Sequence, residues 1–199
     1  MASPSPRIVI LRGPAGSGKS SVSAAALSAL RDRGVRVVYL EQDFFRNTLA
    51  GGVKGARECA CDMLVASARA AHAAGFCVLL EGILSKDHHV GAFAQLASDL
   101  GSSAVSHVYL DVSLEETKAR HAGRAKAKEF GADKLDEWWS SAAPLGVEGE
   151  VIIDSASPLP TTVAAVVALL EPQQAKGGGE EGGAGAGEGG SAAKRAKTS

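Results

Sequence analysis

The stretch RIVILRGPAGSGKSS, residues 7–21, decides the fold. Its first part, RIVIL, is apolar and β-branched, which predicts a buried strand over 7–11. An alanine-rich stretch follows and predicts a helix over 19–32. The turn between them supplies every fixed position of the pattern G-x-x-x-x-G-K-[ST], namely Gly13, Gly18, Lys19 and Ser20. Strand, glycine-rich loop and helix in this order predict a phosphate-binding loop, or P-loop.

Each part of this loop has a physical task. Glycines let the backbone curl so that successive N–H groups point at phosphate oxygens, and the helix adds the positive end of its dipole. Lys19 supplies a point charge for the β and γ phosphates, and the Ser20 hydroxyl can bind Mg²⁺. We therefore expect ATP and Mg²⁺ as cofactors. The expected nucleotide-binding residues are Gly13, Pro14, Ala15, Gly16, Ser17, Gly18, Lys19, Ser20 and Ser21.

Composition limits the class of protein. The chain has 199 residues, 45% of them hydrophobic, and a formal net charge of −1. These values suit one domain with a sizeable core and give no electrostatic case for nucleic-acid binding. The sequence has no apolar stretch long enough to span a bilayer and no secretory signal at its N-terminus. Its three cysteines suit neither a disulfide framework nor a zinc site. We expect a cytoplasmic protein without nucleic-acid or membrane partners.

The composition changes near residue 172. From Lys176 onward the chain is rich in glycine and has no aromatic or large aliphatic residue. Ordering such a segment would bury too little surface to offset the entropy lost. We predict one folded domain over 6–172 and a disordered tail over 173–199. The tail ends in KRAK, which is either a weak nuclear-import signal or a solvated polar end.

Apolar runs alternate with helical patterns along the domain. The runs are apolar on both faces, as in a parallel sheet covered by helices on both sides. Ligands bind such α/β sheets at the carboxyl ends of the strands, so the residues after each strand form the candidate site. Strands are predicted at 7–11, 35–40, 76–80, 105–112 and 150–154, and helices at 19–32, 54–74, 87–99, 113–122, 133–141 and 160–171.

Acidic residues follow the second and third strands. Asp43, in EQDFF, can accept a proton from an attacking hydroxyl group, or it can cap a turn. Glu81, in LLEGI, closes a buried strand beside the P-loop. It can hold Mg²⁺ or orient an acceptor, or it can simply meet solvent at the strand end.

Cations follow the fourth strand, in the segment YLDVSLEETKARHAGR. Ser113 and Glu116 have the spacing of a helix capping box. Arg120 and Arg124 are four residues apart and share one helix face. Two guanidinium groups there can stabilise a phosphate during transfer, although cations also favour any helix C-terminus.

Four further features carry weaker signals. The turn after the fifth strand, DSASPLP, can pass beside an adenine or cap the next helix. His88 and His89 are interpreted as surface or capping residues, because no further metal ligands accompany them. Trp138 and Trp139 either pack the connection 123–149 onto the domain or cover an acceptor. The basic stretch in that connection has the composition of a lid.

These segments resemble those of a known family in order and spacing. GPAGSGKS, LEQDFF, LLEGIL and the segment after the fourth strand are similar to those of small P-loop kinases, most of all the zeta-toxin-like and chloramphenicol-phosphotransferase-like group, which includes AAA-family bacterial kinases. The resemblance implies a three-layer P-loop NTPase fold with strand order 2-3-1-4-5. It also implies Asp43 as general base, Glu81 at the acceptor or metal, and Arg120 with Arg124 at the phosphates.

The resulting hypothesis is a P-loop kinase that moves the γ-phosphate of ATP to a hydroxyl group of a small molecule. The alternative is a P-loop ATPase without such an acceptor, acting in assembly or regulation. A GTP-timed switch usually carries an N-K-x-D segment, which this sequence lacks. A nucleotide-binding module that has lost its chemistry would not need a polar residue at every position where a kinase expects one. The chain is too short for the full acceptor region of a zeta toxin, so the sequence does not identify the acceptor or an oligomeric state.

Overall fold

A five-stranded parallel sheet organises the chain. The computed structural model describes residues 5–122, 135–136, 139 and 142–172. The strands are β1 (Ile8–Arg12), β2 (Val37–Glu41), β3 (Cys77–Gly82), β4 (Val105–Asp111) and β5 (Val151–Asp154). Their order is β2-β3-β1-β4-β5, as predicted, and every pairing is parallel. The strand that leads into the P-loop is therefore central.

Helices connect the strands and cover both faces of the sheet. The helices are α1 (Lys19–Asp32), α2 (Ala56–Ala73), α3 (Lys86–Leu100), α4 (Leu114–Ala122) and α5 (Leu159–Leu170), with a π-helical turn at Phe44–Leu49 and a 3₁₀ turn at Ser102–Ala104. Most of the helix predicted at 133–141 lies outside the described residues, as does the predicted tail. None of the described helices has the length and apolar character that crossing a membrane requires.

The side chains of β1 alternate between two apolar cores. Ile8 and Ile10 pack with side chains of α2 and α3, whereas Val9 and Leu11 pack with side chains of α1 and α5. All four are completely buried. Helix, sheet and helix thus form three layers, which is the P-loop NTPase architecture predicted from the sequence.

The edge strands differ from the prediction that every strand is buried on both faces. In β5, Ile153 packs in the core beside α1 and α5, whereas Ile152, on the opposite face, is 54% exposed. An edge strand meets neighbours on one side only, so a helix can cover one face and leave the other open. A second difference lies in β1, which ends at Arg12 rather than at residue 11 and carries that arginine into the interior.

Candidate active site

The P-loop lies between β1 and α1 and packs against β4. Gly13 has φ +151° and Gly18 has φ +101°, backbone conformations that residues with a Cβ rarely adopt. A Cβ at Gly13 would lie 2.8 Å from the carbonyl oxygen of Leu110. The N–H of Ser17 donates to the carbonyl of Pro14 at 3.2 Å and closes the turn. The sequence Gly-Pro-Ala-Gly-Ser-Gly thus forms the tight curl that the motif requires.

Lys19 reaches back across this loop. Its Nζ donates to the carbonyl oxygens of Gly13 at 3.0 Å and of Pro14 at 2.9 Å. The ammonium charge is therefore held at the loop itself. Because α1 begins at Lys19, the positive end of the helix dipole points to the same place. This concentration of positive charge suits a polyphosphate.

Glu81, at the end of β3, is turned toward the P-loop helix. It is only 2% exposed. Its carboxylate accepts hydrogen bonds from Ser20 Oγ at 3.0 Å and from Ser23 Oγ at 2.6 Å. Burial raises the pKa of Tyr39, and the hydrogen bond of this phenol to Glu81 raises it further. Glu81 is thus a held, inward-facing carboxylate and not a strand end that meets solvent.

Ser20 and Glu81 form the donor set that suits Mg²⁺. Among the described residues no group of three or more His, Cys, Asp or Glu side chains could hold a metal ion. Mg²⁺ does not need such a group, because it is usually bound by one or two protein oxygens together with phosphate oxygens and waters. One hydroxyl and one carboxylate joined by a hydrogen bond of 3.0 Å meet that requirement.

Asp43 is brought to the same edge of the sheet as Glu81. Glu41, two residues earlier, pairs with Glu81 in the β2–β3 register. The Asp43 side chain is exposed. It stands at the start of the π-helical turn but makes no capping hydrogen bond to that turn. This argues against the capping alternative and leaves the carboxylate accessible to a ligand.

Arg120, on α4, bridges the P-loop and the turn after β5. Its Nη1 donates to the Ser17 carbonyl at 3.2 Å and its Nη2 to the Ser155 carbonyl at 3.3 Å. It also forms an ion pair with Glu116, one helical turn earlier. The guanidinium therefore lies beside the outer side of the loop. Arg124, its predicted companion, lies outside the described residues.

Half of the predicted capping box is present. The Glu116 N–H donates to Ser113 Oγ at 3.2 Å and caps α4. The Glu116 carboxylate does not return to the cap as the motif would have it. Hydrogen bonds from Ser155 and then from Arg120 hold it and lower its pKa. The carboxylate therefore orients Arg120 in place of closing the box.

A cavity of 260 Å³ opens between the P-loop, α4 and the start of α5. The turn after β5 forms part of its wall, and in that turn Asp154 Oδ1 accepts the Ala156 N–H at 2.6 Å. The residue that precedes α5 is Pro158, so no side chain from this turn caps the helix. The turn is thus available to a ligand in the cavity. Lining side chains include Ser17, Ser21, Val22, Arg120, Ser155 and Thr162.

A family model described as an AAA domain matches residues 8–145, which is more than half of the chain. The chain belongs to this AAA domain family. No curated protein matches it in sequence. The comparisons do not reach the narrower zeta-toxin-like and chloramphenicol-phosphotransferase-like group, which stays a prediction.

Solved structures share the fold of this AAA domain. The structure called APE1195 matches with a TM-score of 0.70 and 20% identity, over 85% of this chain and 97% of that one. An APS kinase, CysC of Mycobacterium tuberculosis, solved with AMPPNP and APS, matches with a TM-score of 0.67 and 21% identity, over 85% and 99%. A sugar kinase from Janibacter sp. HTCC2649 matches with a TM-score of 0.64 and 20% identity, over 84% and 95%.

Arg12, which directly precedes the P-loop, is a buried charge that the sequence did not reveal. It is completely buried beside the P-loop. Its Nε donates to the Leu84 carbonyl at 3.0 Å, its Nη2 to the Ala143 carbonyl at 3.0 Å, and its Nη1 pairs with Glu150 at 3.3 Å. Burial lowers the pKa of Arg12, and the charge of Glu150 partly offsets this. An arginine at a strand end ordinarily predicts an exit to solvent, so the pattern gave no signal of burial.

His89 corrects the prediction of a surface or capping residue. It is 1% exposed, whereas His88 is exposed as expected. In α3, position 89 faces inward together with Phe93, one turn later, and the two rings stack with centroids 5.9 Å apart. Nδ1 of the His89 ring lies 3.1 Å from the Ser85 carbonyl oxygen. Nε2 of the ring lies 3.3 Å from the amide nitrogen of Gln42. Burial lowers the pKa of His89.

Trp139 contacts the body of the AAA domain. Its indole N–H donates to the Val112 carbonyl, just after β4, at 2.9 Å. The contact favours the packing interpretation for this tryptophan. Trp138 lies outside the described residues.

Proposed function

We propose that this AAA domain protein is an ATP-dependent phosphotransferase that moves the γ-phosphate to a hydroxyl group of a small molecule. The observation that carries the proposal is the placement of three groups at one edge of the sheet. Lys19 lies on the P-loop, the Ser20–Glu81 pair lies beside it, and Asp43 lies exposed at the end of the neighbouring strand. Among solved structures of the same fold, two are described as an APS kinase and a sugar kinase.

The proposed roles follow from charge and accessibility. Lys19 and the loop N–H groups hold the phosphates, and Asp43 accepts the proton of the attacking hydroxyl. The acceptor oxygen bonds to the γ-phosphorus while the bond from that phosphorus to the β–γ bridging oxygen breaks, so that ADP leaves. Mg²⁺, held by Ser20 and Glu81, would neutralise charge on the phosphate oxygens.

The cavity beside Arg120 suits the nucleoside part of ATP. It adjoins the P-loop through Ser17 and Ser21, and the Ser155 turn forms its outer wall. A guanidinium held by two carbonyls and a carboxylate presents a planar face that a base can stack on. We therefore propose that Arg120 contacts the nucleoside rather than the phosphates that its family resemblance implies, and that the phosphates lie in the adjoining loop.

The test is to incubate the protein with Mg²⁺-ATP and a pooled cell metabolite extract. Mass spectrometry would look for a metabolite that gains one phosphate. Asp43→Asn removes the proposed base, so we expect the rate of acceptor-dependent ADP formation to fall by about 10²–10⁴-fold. The matched control is Asp62→Asn, because Asp62 is also an exposed aspartate but lies on α2.

Three outcomes separate the possibilities. A phosphorylated metabolite that Asp62→Asn still makes and Asp43→Asn does not would support the proposal and identify the acceptor. Equal rates for the two variants would exclude Asp43 as the base. Turnover of ATP without any phosphorylated metabolite would favour an ATPase without a small-molecule acceptor.

A further inference from the structure

A buried chain of hydrogen bonds joins the ends of β1, β2 and β3. Arg12 Nε donates to the Leu84 carbonyl at 3.0 Å, and the Leu84 N–H donates to Gln42 Oε1 at 3.2 Å. Gln42 Nε2 lies 3.3 Å from His89 Nε2, and His89 Nδ1 lies 3.1 Å from the Ser85 carbonyl. We call these five residues the strand-end network.

Only one arrangement of protons satisfies this network. The Leu84 N–H is a donor, so it must face the oxygen of the Gln42 amide, which turns the NH₂ group toward His89. The Ser85 carbonyl is an acceptor, so His89 must carry a hydrogen on Nδ1. The ring then has its free lone pair on Nε2, where it accepts from Gln42. The network therefore requires neutral His89 in a single tautomer.

The charged groups around His89 oppose its protonation. Burial lowers the pKa of His89 most, and the charges of His88, of Arg12 from β1 and of Arg57 from α2 lower it further, whereas the hydrogen bond to the Ser85 carbonyl raises it. The contact from the end of β2 is the uncharged Gln42 amide. On the far side of Phe93, β4 presents His107, with the centroids of those two rings 6.4 Å apart. These surroundings favour the neutral ring that the hydrogen bonds require.

The network holds a strained turn next to both proposed catalytic carboxylates. Leu84 has φ +46° and is the non-glycine residue with positive φ in the described chain. Both of its peptide groups are held by side chains, one by Gln42 and one by Arg12. A Cβ at Gly82 would lie 2.4 Å from Gln42 Oε1, so the turn fits tightly on the amide. Strain of this kind persists only where the surroundings over-determine it.

We propose that Gln42 and His89 are positioning residues for Asp43 and Glu81, the two carboxylates of the proposed site. Gln42 directly precedes Asp43, and the turn that it holds directly follows Glu81 and Gly82. Neutral His89 orients the Gln42 amide, the amide fixes the turn to the end of β2, and the spacing of Asp43 and Glu81 is set as a result. The inference rests on the phosphotransferase proposed above.

Protonation of His89 breaks this arrangement. A hydrogen on Nε2 would face the Gln42 NH₂ group, donor against donor. Turning the amide over would only move the conflict, since its NH₂ would then face the Leu84 N–H. Acid should therefore slow phosphoryl transfer while ATP binding by the P-loop persists, because the hydrogen bonds of Gln42 and His89 join them to each other and to Leu84 and Ser85, which follow β3.

Two substitutions at Gln42 test the role of its donor. Gln42→Leu keeps the bulk and loses the hydrogen bonds. We expect it to lower the rate of ADP formation with the metabolite extract by about 10–100-fold, the effect of misplacing a reacting group, with the ATP dissociation constant unchanged. Gln42→Glu replaces the donor with a carboxylate, which requires protonated His89. Its rate should fall as pH rises, whereas the wild-type rate falls as pH drops.

Substitutions at the histidines complete the test. His89→Asn removes the titrating ring, so the loss of the wild-type rate as pH falls below about 6.5 should become smaller. The matched control is His88→Asn, since His88 is exposed on the same helix. It should keep the wild-type loss of rate in acid, moved slightly to higher pH because the positive charge of His88 no longer opposes the protonation of His89. Wild-type rates and profiles in Gln42→Leu, Gln42→Glu and His89→Asn would overturn the inference.

A separate measurement distinguishes failure of the inference from failure of the proposed function. If the wild-type protein phosphorylates no metabolite, the proposed function fails on its own. NMR of the wild-type protein then still tests the coupling, by following the ring nitrogens of His89 and the amide of Leu84 during a pH titration. Joint titration of the two signals supports the network as described, and a Leu84 amide that ignores the ionisation of His89 overturns it.

Discussion

Gly13 lies where the P-loop packs tightly against β4. A methyl group there would meet a backbone oxygen of β4 at 2.8 Å, and a backbone oxygen cannot rotate away as the end of a side chain can. The φ of +151° adds strain for any residue with a Cβ. The motif glycine is therefore required by the neighbouring strand as well as by the phosphate.

We predict that Gly13→Ala destabilises the protein by about 1–3 kcal/mol and weakens ATP binding, because the loop must move away from β4. Urea unfolding and isothermal titration calorimetry would measure the two effects. Gly91→Ala is the matched control. A Cβ at Gly91, in α3, meets no described atom within 4 Å, so alanine there should stabilise the protein by about 0.5–1 kcal/mol. Equal effects of the two substitutions would contradict this account.

Residues of the P-loop were predictable from the sequence because their task depends on local spacing. Lys19 bonds carbonyl oxygens five and six residues earlier, within one motif. The strand-end network was not predictable, because its partners are far apart in the chain. Gln42 and His89 are separated by 47 residues and Arg12 and Leu84 by 72. The local sequence around each of these residues does not indicate which distant residues it will contact.

Among the elements, the segment 142–150 illustrates how an irregular stretch is held in place. Tyr109 donates to the Ala142 carbonyl at 3.1 Å and Arg12 to the Ala143 carbonyl at 3.0 Å. Glu150 folds back on the same segment, accepting the Leu145 N–H at 3.1 Å. The buried ion pair of Arg12 and Glu150 therefore holds the segment that leads into β5 against the centre of the sheet.

We predict that Glu150→Ala destabilises the protein by about 3–5 kcal/mol, because it leaves the guanidinium of Arg12 buried and unpaired. The control is Glu171→Ala, which breaks the exposed ion pair with Arg33 and should cost about 1 kcal/mol or less. Urea unfolding of both variants would measure the difference in free energy of unfolding. A cost for Glu150→Ala no larger than that of the control would show that the buried pair does not hold the segment.

Element boundaries were predictable where the helical period was strong. The bounds of α1 are those predicted from the sequence. Both ends of α2 and of α3 lie within two residues of their predicted positions. The π-helical turn Phe44–Leu49 was not predicted. It buries Phe45 in the core while leaving Phe44 48% exposed. Two adjacent phenylalanines have no periodicity in sequence, so the pattern does not predict which of them is buried.

At the scale of the whole molecule, buried His89 and half-buried His107 link stability to pH. Burial lowers the pKa of both His89 and His107 below the ordinary value of 6.5. As pH falls below 6.5, these histidines are therefore protonated in the unfolded chain before they are protonated in the folded protein. Stability is fully present above about pH 6.5 and is lost as pH falls below it. Carboxylates with lowered pKa values, Asp99 and Glu116, lose their contribution only near their own ordinary values of 3.8 and 4.5.

We predict that the free energy of unfolding decreases between about pH 6.5 and 5, before the carboxylates titrate. Urea unfolding at a series of pH values would measure the slope. His107→Leu and His89→Asn should each reduce it, and His88→Asn, at an exposed position, should reduce it much less. A slope that is unchanged in both His107→Leu and His89→Asn would mean that other groups carry the pH dependence.

The strand order has a consequence for biosynthesis. The central strand β1 is made before either of its partners, since Ile8 pairs with Val78 on one side and with Val105 on the other. At translation rates of about 5–20 residues per second, this strand, apolar from Ile8 to Leu11, waits for seconds before a hydrogen-bonding partner leaves the ribosome. The residues that form the best-buried part of the native protein are thus the ones that a nascent chain exposes longest, and that a chaperone would meet first.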